Sequence, residues 1–576
     1  MPAQPSNNLA ISVGGSRVEG VDIVEVQVED HLHLPDSFSV TIKDPARNAI
    51  ERMGARIGAK LKVVVINDAH PAGEPLIEGE ITALEAEIHA GTSYTVVRGY
   101  DESHRLFHGR VTESYVNVTY ADIARKVADR HHLRAGDIAA TSSTHPHVTQ
   151  ASENDWEFLR RLAREVGNEV LVSDGRLHFR PPATSQGAPG QADLSSQDPL
   201  TLTVGGNLIE LRATVTAAEQ VEQVEVRGWD PLDKRAITAT APARTVSISN
   251  GHTPVELAGL FKGPPLVAVD PPIRNAGAAD AAARALAEHV AASFSEIDGI
   301  AHGDPKLRAG AAVRLALAGA PFDGTYVLTT TTHRYDPVEG YRTLFSVSGR
   351  EARSLLGLTG GGDGGSGRIA GVVPAVVDDV DDPDRLGRVR LRFPWLAEQF
   401  VSVWSRVSHA GAGPDRGWLL LPEVGDEVLV AFEQGDMNHP YVLGGLYNGQ
   451  DQATTGPGQL LDSANGAVNN RLFTSRTGHQ LVFVDASGSE GVELRTGDGA
   501  LSIRLDQAGK TLTVQSDGDL KISAQGNVTV EATGTLELSG RAVKVKAQSN
   551  LDLDGGQVAV NGSGPVRVSG QPIQLN

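Results

Sequence analysis

The sequence predicts a mainly β protein of several domains that ends in a triple-stranded, intertwined β-helix. Pairs of apolar residues two positions apart recur through the last seventy or so residues at a nearly constant step. Glycine is abundant, at 64 of 576 residues, while aromatic residues make up only 5% of the chain, as in turn-rich β proteins. Alternating apolar runs, such as residues 21–28 and 61–66, are typical of strands with one buried face.

Residues 1 to about 355 alternate in this way and are interrupted by three predicted helices. The first follows Thr119, which is a good N-cap with the acidic Asp122 three residues on. The second is predicted to begin at Ser152 and to end at Gly167, where glycine favours a C-cap. The third is an alanine-rich run over residues 278–294. This half of the chain is therefore predicted to be a set of β domains with a few helices.

The glycine-rich stretch at residues 359–368 is predicted to be a flexible linker, and a compact all-β unit follows at residues 369–449. About five short strands in some eighty residues favour a small barrel of the oligonucleotide/oligosaccharide-binding (OB) type. A hairpin is expected, with the turn 422–426 joining strands at 418–421 and 427–432. The residues expected to shape this barrel are two turn glycines and three anchoring tryptophans, namely Gly387, Gly425, Trp395, Trp404 and Trp418.

Residues 450–480 are predicted to be a neck, and the repeat occupies residues 481–576. The apolar pairs are Ile503/Leu505, Leu512/Val514, Leu520/Ile522, Val528/Val530, Leu536/Leu538, Val543/Val545, Leu551/Leu553, Val558/Val560, Val566/Val568 and Ile573/Leu575. One unit cannot bury its own pair, but stacked units can. Two inward residues per unit are too few for a wide single-chain β-helix. We therefore predict an obligate homotrimer in which each chain supplies one face of a triangular prism, whereas an ordinary β-sandwich would seldom keep this step ten times.

Composition narrows the possible partners. The net charge of −20, or about −60 for three copies, disfavours nucleic acid and anionic membrane surfaces, which both require basic groups. There is no cysteine, so disulfides and thiolate metal sites are excluded. The N-terminus does not have the pattern of a signal peptide, and no stretch approaches the ~20 apolar residues of a membrane span. No stable membrane association is expected.

Several motifs make the chain recognisable. Residues 382–395, 422–430 and 440–449 closely resemble the barrel of VgrG-type spike proteins. Residues 99–101, 119–123 and 152–159 resemble the phage hub-like part of the same family. The chain length and the glycine-rich linker look most like the spikes of extracellular, phage-tail-like contractile injection systems. The resemblance implies a hub-like domain at 1–358, the linker at 359–368, the OB barrel at 369–449, the neck at 450–480 and the needle at 481–576.

The resemblance also implies a function and a set of partners. A trimeric hub would seat the inner tube protein and contact baseplate proteins, and the needle would pierce a target envelope when the sheath contracts. A PAAR-type tip protein is expected to cap the needle, and effector cargo is possible. The spike would be assembled in the bacterial cytoplasm, within the injection particle, and would leave the cell or enter the target on firing. A type VI secretion spike is the alternative machinery.

A less favoured alternative is an enzyme, a β-helical tailspike that degrades polysaccharide. No Trp, Tyr or Phe follows Phe483, which counts against sugar stacking. Only about thirty mostly polar residues separate the barrel from the repeat, which is too few for the lysozyme domain of some relatives. No catalytic residue and no cofactor are therefore predicted.

No metal site is predicted either. The histidine pairs His31/His33, His145/His147 and His131/His132 have no cysteine or further acidic ligand at metal spacing. The acidic run 378–384 lacks the glycine and distal glutamate of an EF-hand loop. The last histidine is His479, upstream of the repeat, so the iron-binding His-x-His tip of some phage spikes is absent. The residues predicted to matter are structural: the barrel residues above and the needle-core residues Val528, Val530, Leu536, Leu538, Val543, Val545, Leu551 and Leu553.

Overall fold

A computed structural model describes residues 8–67, 71–141, 143–190, 198–270, 272–349 and 368–574. The chain divides into two compact units, Met1–Asp451 and Gln452–Asn576. The predicted linker lies outside the described residues except for Arg368, and so does Leu575 of the last apolar pair. The architecture is mainly β, as predicted.

The N-terminal part of the first unit is built on strands β1–β23. Their bounds are β1 Asn8–Val13, β2 Ser16–Arg17, β3 Asp22–His31, β4 Ser37–Lys43, β5 Lys60–Ile66, β6 Glu74–His89, β7 Thr92–Tyr100, β8 Val111–Val118, β9 Arg134–Ile138, β10 His145–Glu153, β11 Glu169–Ser173, β12 Arg176–Arg180, β13 Thr201–Thr203, β14 Leu208–Val215, β15 Gln223–Asp230, β16 Arg235–Pro242, β17 Ile248–Ser249, β18 Leu266–Ala268, β19 Ser295–His302, β20 Ala312–Ala316, β21 Gly324–Val327, β22 Thr330–Asp336 and β23 Gly340–Val347. Five helices lie between these strands, namely α1 Ala49–Met53, α2 Tyr120–Arg130, α3 Asp155–Val166, α4 Pro254–Gly259 and α5 Ala276–Ala291.

An eleven-stranded sheet organises this part, in the order β14-β19-β23-β22-β3-β4-β7-β6-β5-β1-β2. Its strands alternate as the sequence does: Val40, Leu61 and Val63 are fully buried while their neighbours are more exposed. Strand β22 pairs with β3 across more than 280 residues of sequence, so the sheet joins the two ends of the N-terminal part.

The three predicted helices form, and two of them have shifted bounds. Thr119 caps α2, as predicted, and the structure adds a full capping box in which the Asp122 side chain accepts from Thr119 N. Helix α3 ends at Gly167, whose φ is +72°, but it begins at Asp155 rather than at Ser152. The reason is that Ser152 still belongs to β10, and the Asn154 side chain accepts the hydrogen bond from Glu157 N at 2.8 Å. The alanine-rich helix is α5, which runs over Ala276–Ala291 rather than about 278–294 and is capped by Asn275.

The barrel closes through five strands in the order β24-β25-β26-β30-β29. The strands of this region are β24 Val372–Asp379, β25 Arg388–Arg392, β26 Ser405–Val407, β27 Ala412–Gly413, β28 Arg416–Gly417, β29 Glu427–Phe432 and β30 Pro440–Gly445. Val389, Leu391, Phe393, Val428 and Val430 fill the interior and are fully buried. The predicted hairpin is wrong: residues 418–421 form no strand, and β29 pairs with β24 and β30 instead, because closing the barrel uses both edges of β29.

The second unit begins with a five-stranded antiparallel meander. Its strands are β31 Asn470–Thr474, β32 Gln480–Val484, β33 Gly491–Arg495, β34 Leu501–Asp506 and β35 Thr511–Ser516. The apolar pairs Ile503/Leu505 and Leu512/Val514 therefore lie on neighbouring strands, where Leu505 pairs with Leu512 and Ile503 with Val514. From residue 517 to 574 the described chain has bends but no strand paired within the chain.

Candidate functional site

The apolar pairs of the repeat form a column of exposed side chains, here called the apolar-pair column and defined by the pairs from Leu520/Ile522 to Val566/Val568. Every member is more than half exposed. Within each pair the second residue is the more exposed, as at Leu536 (55%) and Leu538 (71%). Large apolar side chains that recur exposed at a fixed step mark a surface made for contact rather than for water.

The backbone of this segment is also unpaired. The last backbone hydrogen bond of the meander joins Asp517 N to Ala500 O at 3.0 Å. Over residues 518–574, all of which the structure describes, no backbone–backbone hydrogen bond is formed within the chain. A row of free N–H and C=O groups is a template for pairing with another chain. The column thus offers both apolar side chains and hydrogen-bonding groups to a partner.

The barrel carries an arginine face that the adjacent acidic run neutralises. Strand β25 buries Val389 and Leu391 and turns its arginines outward, as its alternation predicts. The Arg388 guanidinium donates to Asp382 from Nε at 3.0 Å and from Nη2 at 2.5 Å. These bonds, with backbone donors from Leu386 and Arg388, hold the pKa of Asp382 well below its usual range. The acidic run is therefore paired with arginine rather than arranged around an ion.

The barrel is joined to the N-terminal part of the same unit by polar contacts at several points. Arg274 Nη2 donates to Glu433 Oε2 at 2.5 Å and to the Tyr441 hydroxyl at 3.1 Å. Thr149 N donates to Asn438 Oδ1 at 2.9 Å. Further contacts join the following pairs: His147 Nε2 with Val401 O (3.0 Å), Gln434 Nε2 with Val269 O (3.0 Å), and Arg368 with Asp270 (2.6 and 2.8 Å). Sequence reasoning missed this junction because its partners lie more than 90 residues apart.

An arginine-centred network lies close to the same junction. Arg161 donates to both carboxylate oxygens of Glu153, at 3.1 and 3.0 Å, and to Thr149 O at 2.8 Å. Burial raises the pKa of Glu165, which accepts a hydrogen bond from the Tyr120 hydroxyl. The only sequence signal for this network was the amphipathic pattern of α3, which gives no information about its partners.

Three aspartates of the N-terminal part, Asp30, Asp36 and Asp101, were not predicted from the sequence to have raised pKa values. Asp101, which is nearly fully buried, accepts from Ser103 N at 3.3 Å. Asp36 accepts from His31 N at 3.0 Å, and Asp30 accepts from Ala309 N at 3.2 Å. Burial raises the pKa of Asp101 to about 7, and it raises the pKa values of Asp30 and Asp36 as well.

The predicted barrel residues occupy different environments. Gly387 and Gly425 have φ of +69° and +97°, which is the left-handed region that favours glycine. Trp395 is half exposed, and its Nε1 donates to Pro374 O at 2.8 Å. Trp404 is half-buried, with the Arg390 guanidinium 5.7 Å from its ring centre. Trp418 is 63% exposed in the single chain, so it does not fill the barrel interior.

The histidine pairs make contacts with protein groups. His131 Nε2 lies 2.6 Å from Asp155 Oδ2, His145 stacks on the Tyr120 ring, and His31 Nδ1 accepts from His33 N at 2.9 Å. In the part of the chain that the structure describes, no group of three or more His, Asp and Glu side chains is placed to hold a metal ion. The same described residues include no helix long and apolar enough to cross a membrane.

Comparison with known proteins agrees with the barrel geometry. The family model described as the type VI secretion system/phage-baseplate injector OB domain matches residues 373–447, which are the closed barrel. A second model, of the Alg8 N-terminal domain, matches residues 58–336. The type VI secretion system spike protein VgrG1a of Pseudomonas aeruginosa is 25% identical over 245 residues, which cover 33% of this chain and 38% of that protein.

Two further similarities extend this result. The actin cross-linking toxin VgrG1 of Vibrio cholerae is 28% identical over 187 residues, which cover 31% of this chain and 16% of the toxin. This chain therefore matches well under half the length of either relative. The half-lidded Francisella PdpA–VgrG complex has a TM-score of 0.55 at 9% identity, covering 89% of this chain and 88% of that chain, which shows a shared fold. The chain is therefore similar to VgrG spike proteins, and its closed barrel matches the baseplate-injector OB domain.

Proposed function

We propose that this protein is the trimeric central spike of a contractile injection system and that it pierces a target envelope when the sheath contracts. The observation that carries the proposal is the apolar-pair column, exposed and with its backbone unpaired over residues 518–574. The OB-domain match and the VgrG relatives support the choice of machinery.

Three copies are proposed because of the geometry of the repeat. Each unit offers two apolar side chains on one side of a short extended segment, which is enough to line one face of a triangular prism but not to enclose a core alone. In such a prism, every free N–H and C=O of one chain would pair with a neighbouring chain. The seven units of the apolar-pair column at a strand spacing of ~4.8 Å would make a rod on the order of 30 Å long.

The mechanical role follows from this construction. Strands shared among three chains must fail together before the rod can bend, so an axial load would be borne by many contacts at once. The junction between the barrel and the N-terminal part, including the Arg274–Glu433 pair, would transmit that load within the first unit.

The partners and the location follow from the same proposal. The N-terminal part would seat the inner tube and contact baseplate proteins, a PAAR-type protein would cap the needle, and effector cargo could be attached. Assembly would take place in the bacterial cytoplasm, with delivery outside the cell or into the target on firing. Type VI and extracellular systems differ in the surrounding machinery, and both are compatible with the OB-domain match.

We also propose that the chain acts as a structural protein and not as an enzyme. The side chains presented along the column are Val, Leu and Ile, which provide no acid, base or nucleophile. The relative named as an actin cross-linking toxin is matched over only 16% of its own length.

A delivery assay tests the function. In the producing bacterium, replacing Val530 with Asp should leave the protein expressed but abolish injection into target cells, because the needle cannot assemble. A matched control is Thr529→Asp, which places the same charge between the two apolar residues of the same unit, on the opposite side of the strand. Normal injection by the Val530→Asp variant would refute the piercing role of the column.

A further inference from the structure

Two aspartate side chains in the N-terminal part form a hydrogen bond to each other. They are Asp30, near the end of β3, and Asp36, in the turn that joins β3 to β4, and they are here called the aspartate pair. Two ionised carboxylates cannot bond in this way, because both are then acceptors only. The aspartate pair must therefore hold one proton between its two side chains.

The surroundings of the pair decide which side chain carries the proton. Asp30 accepts from Ala309 N at 3.2 Å and faces the positive charge of Arg308, so its negative charge is partly compensated. Asp36 instead faces the negative charges of Asp30 and Asp101. Burial and these neighbours raise the pKa of Asp36 well above the usual carboxyl range. Asp36 is therefore the donor of the shared proton, and Asp30 is the acceptor.

The turn between β3 and β4 is fastened around Asp36. His31 N donates to Asp36 Oδ1 at 3.0 Å, and Asp101 N donates to Asp36 O at 2.9 Å. Leu32 N donates to Thr329 O at 3.1 Å, just before β22 begins. The turn thus connects β3 with the residues that follow β7 and with those that precede β22.

A cavity of about 390 Å³ lies beside the turn, and Asp36 is one of the residues that line it. If Asp36 lost its proton, its carboxylate would repel the carboxylate of Asp30, and the bond between them would be lost. The cavity offers the charged Asp36 side chain a place where water restores its hydration. The turn therefore has two arrangements available, one with Asp36 bonded to Asp30 and one with Asp36 in the cavity.

We propose that the shared proton holds the β3–β4 turn closed, and that loss of this proton releases the turn as the Asp36 side chain moves into the cavity. Acidic and basic groups both surround the pair. Those that face it or line the cavity are His31, Lys60, Glu78, Asp101, Glu102, His132, Arg134, Asp174 and Arg308, and Arg160 faces His31.

The basic groups in this set are engaged elsewhere and do not cancel the repulsion. Arg308 donates from Nε to Pro305 O at 3.2 Å and from Nη2 to Pro75 O. Lys60 Nζ donates to Glu102 Oε1 at 3.0 Å. Arg134 Nη2 donates to the carbonyl oxygen of residue 174 at 3.0 Å. A single guanidinium facing the pair can offset one carboxylate, but two carboxylates remain when the proton is lost.

Closure of the turn should consequently depend on pH. Because the pKa of Asp36 is raised in the folded protein, its stabilising effect is fully present at low pH and is lost as the pH rises above the usual carboxyl range. The device lies within one chain, so it does not depend on the proposed trimer or on the needle.

Hydrogen–deuterium exchange on the full chain tests this proposal. The reporters are the backbone amides of His31 and Leu32, which fasten the turn, and the reference amides are those of the paired strands β19 and β23 in the same sheet. Exchange is measured from pH 5 to pH 9 and corrected for the intrinsic pH dependence of amide exchange. We expect the reporters to lose protection by about tenfold over this range while the reference amides keep theirs.

Two variants identify the group that titrates. In Asp36→Asn the side-chain amide donates to Asp30 at every pH, so the loss of protection should disappear. Asp336→Asn is the matched control, because it removes a carboxyl group at the end of β22, outside the pair, and it should behave like the parent. If Asp36→Asn does not fold, Asp30→Asn replaces it, since the Asn amide then bonds to Asp36 in either protonation state.

Constant protection of the reporters from pH 5 to pH 9 in the parent would overturn the proposal. A loss of protection that persists in the folded Asp36→Asn or Asp30→Asn variant would also overturn it, because the aspartate pair would then not be its cause. A loss that extends equally to β19 and β23 would indicate general unfolding instead of release of one turn, and the proposal would fail.

Discussion

The substitution Leu538→Asp tests the proposed needle core most sharply. Leu538 is 71% exposed in the single chain and would face the prism axis in the trimer, where three copies meet at one level. Losing the leucine removes about 1–2 kcal/mol of stabilisation per chain, since full burial of such a side chain stabilises a protein by about 1.5–3 kcal/mol. Each of the three carboxylates at that level destabilises the trimer by several kcal/mol more, because an unpaired buried charge loses its hydration without gaining a partner.

The total of roughly 10 kcal/mol or more is comparable with the whole free energy of unfolding of an ordinary domain, about 5–15 kcal/mol. We therefore expect Leu538→Asp to prevent assembly of the trimeric needle. The assay is sedimentation mass together with thermal melting. Ser539→Asp is the matched control, because it places the same charge one residue later on the outward side, and it should remain trimeric. A Leu538→Asp protein that is trimeric and melts like the parent would refute the reasoning.

Three further predictions concern the first unit. The raised pKa of Asp101 means that its own contribution to stability is present at low pH and is lost as the pH rises through about 7. The melting temperature of Asp101→Asn minus that of the parent should therefore be higher at pH 8 than at pH 5. Arg388→Ala should lower the free energy of unfolding by about 3 kcal/mol, because it leaves the buried Asp382 carboxylate without its guanidinium; denaturant unfolding measures this. Arg274→Ala should lower the free energy of unfolding by about 1 kcal/mol, since it removes the contact to Glu433. It should also increase protease cleavage between the barrel and the N-terminal part.

These predictions have internal controls. Asp336→Asn replaces a carboxyl group whose pKa is lowered by the backbone N–H groups of Glu339 and Val338, so it should leave the difference between pH 5 and pH 8 unchanged. Arg392→Ala removes a more exposed arginine at 3.0 Å from Asp378 and should cost under about 1 kcal/mol. An equal decrease in the free energy of unfolding for Arg388→Ala and Arg392→Ala would contradict the role assigned to Asp382.

Local signals in the sequence were sufficient where a feature depends on neighbouring residues. The N-cap at Thr119 and the C-cap at Gly167 are encoded within a few residues, and they were predicted correctly. The hairpin around residues 422–426 was wrong because a good turn and two flanking apolar runs do not determine which strand will pair.

Contacts between distant residues escaped prediction. The eleven-stranded sheet joins β22 to β3, and Arg274 contacts Glu433, although these partners lie too far apart in sequence for a local pattern to pair them.

The apolar-pair column was predictable in its pattern but not in its environment. Its period was visible in the sequence, but only the structure shows that the pairs remain exposed and the backbone unpaired in a single chain.

The most direct test of the proposed spike is the mass of the purified chain in solution. The single chain has a mass of 60.7 kDa. A trimeric needle requires a species of three times that mass that persists on dilution to nanomolar concentration, because the column should be covered on every chain. A stable species at 60.7 kDa, with the column still open to solvent, would contradict the central claim.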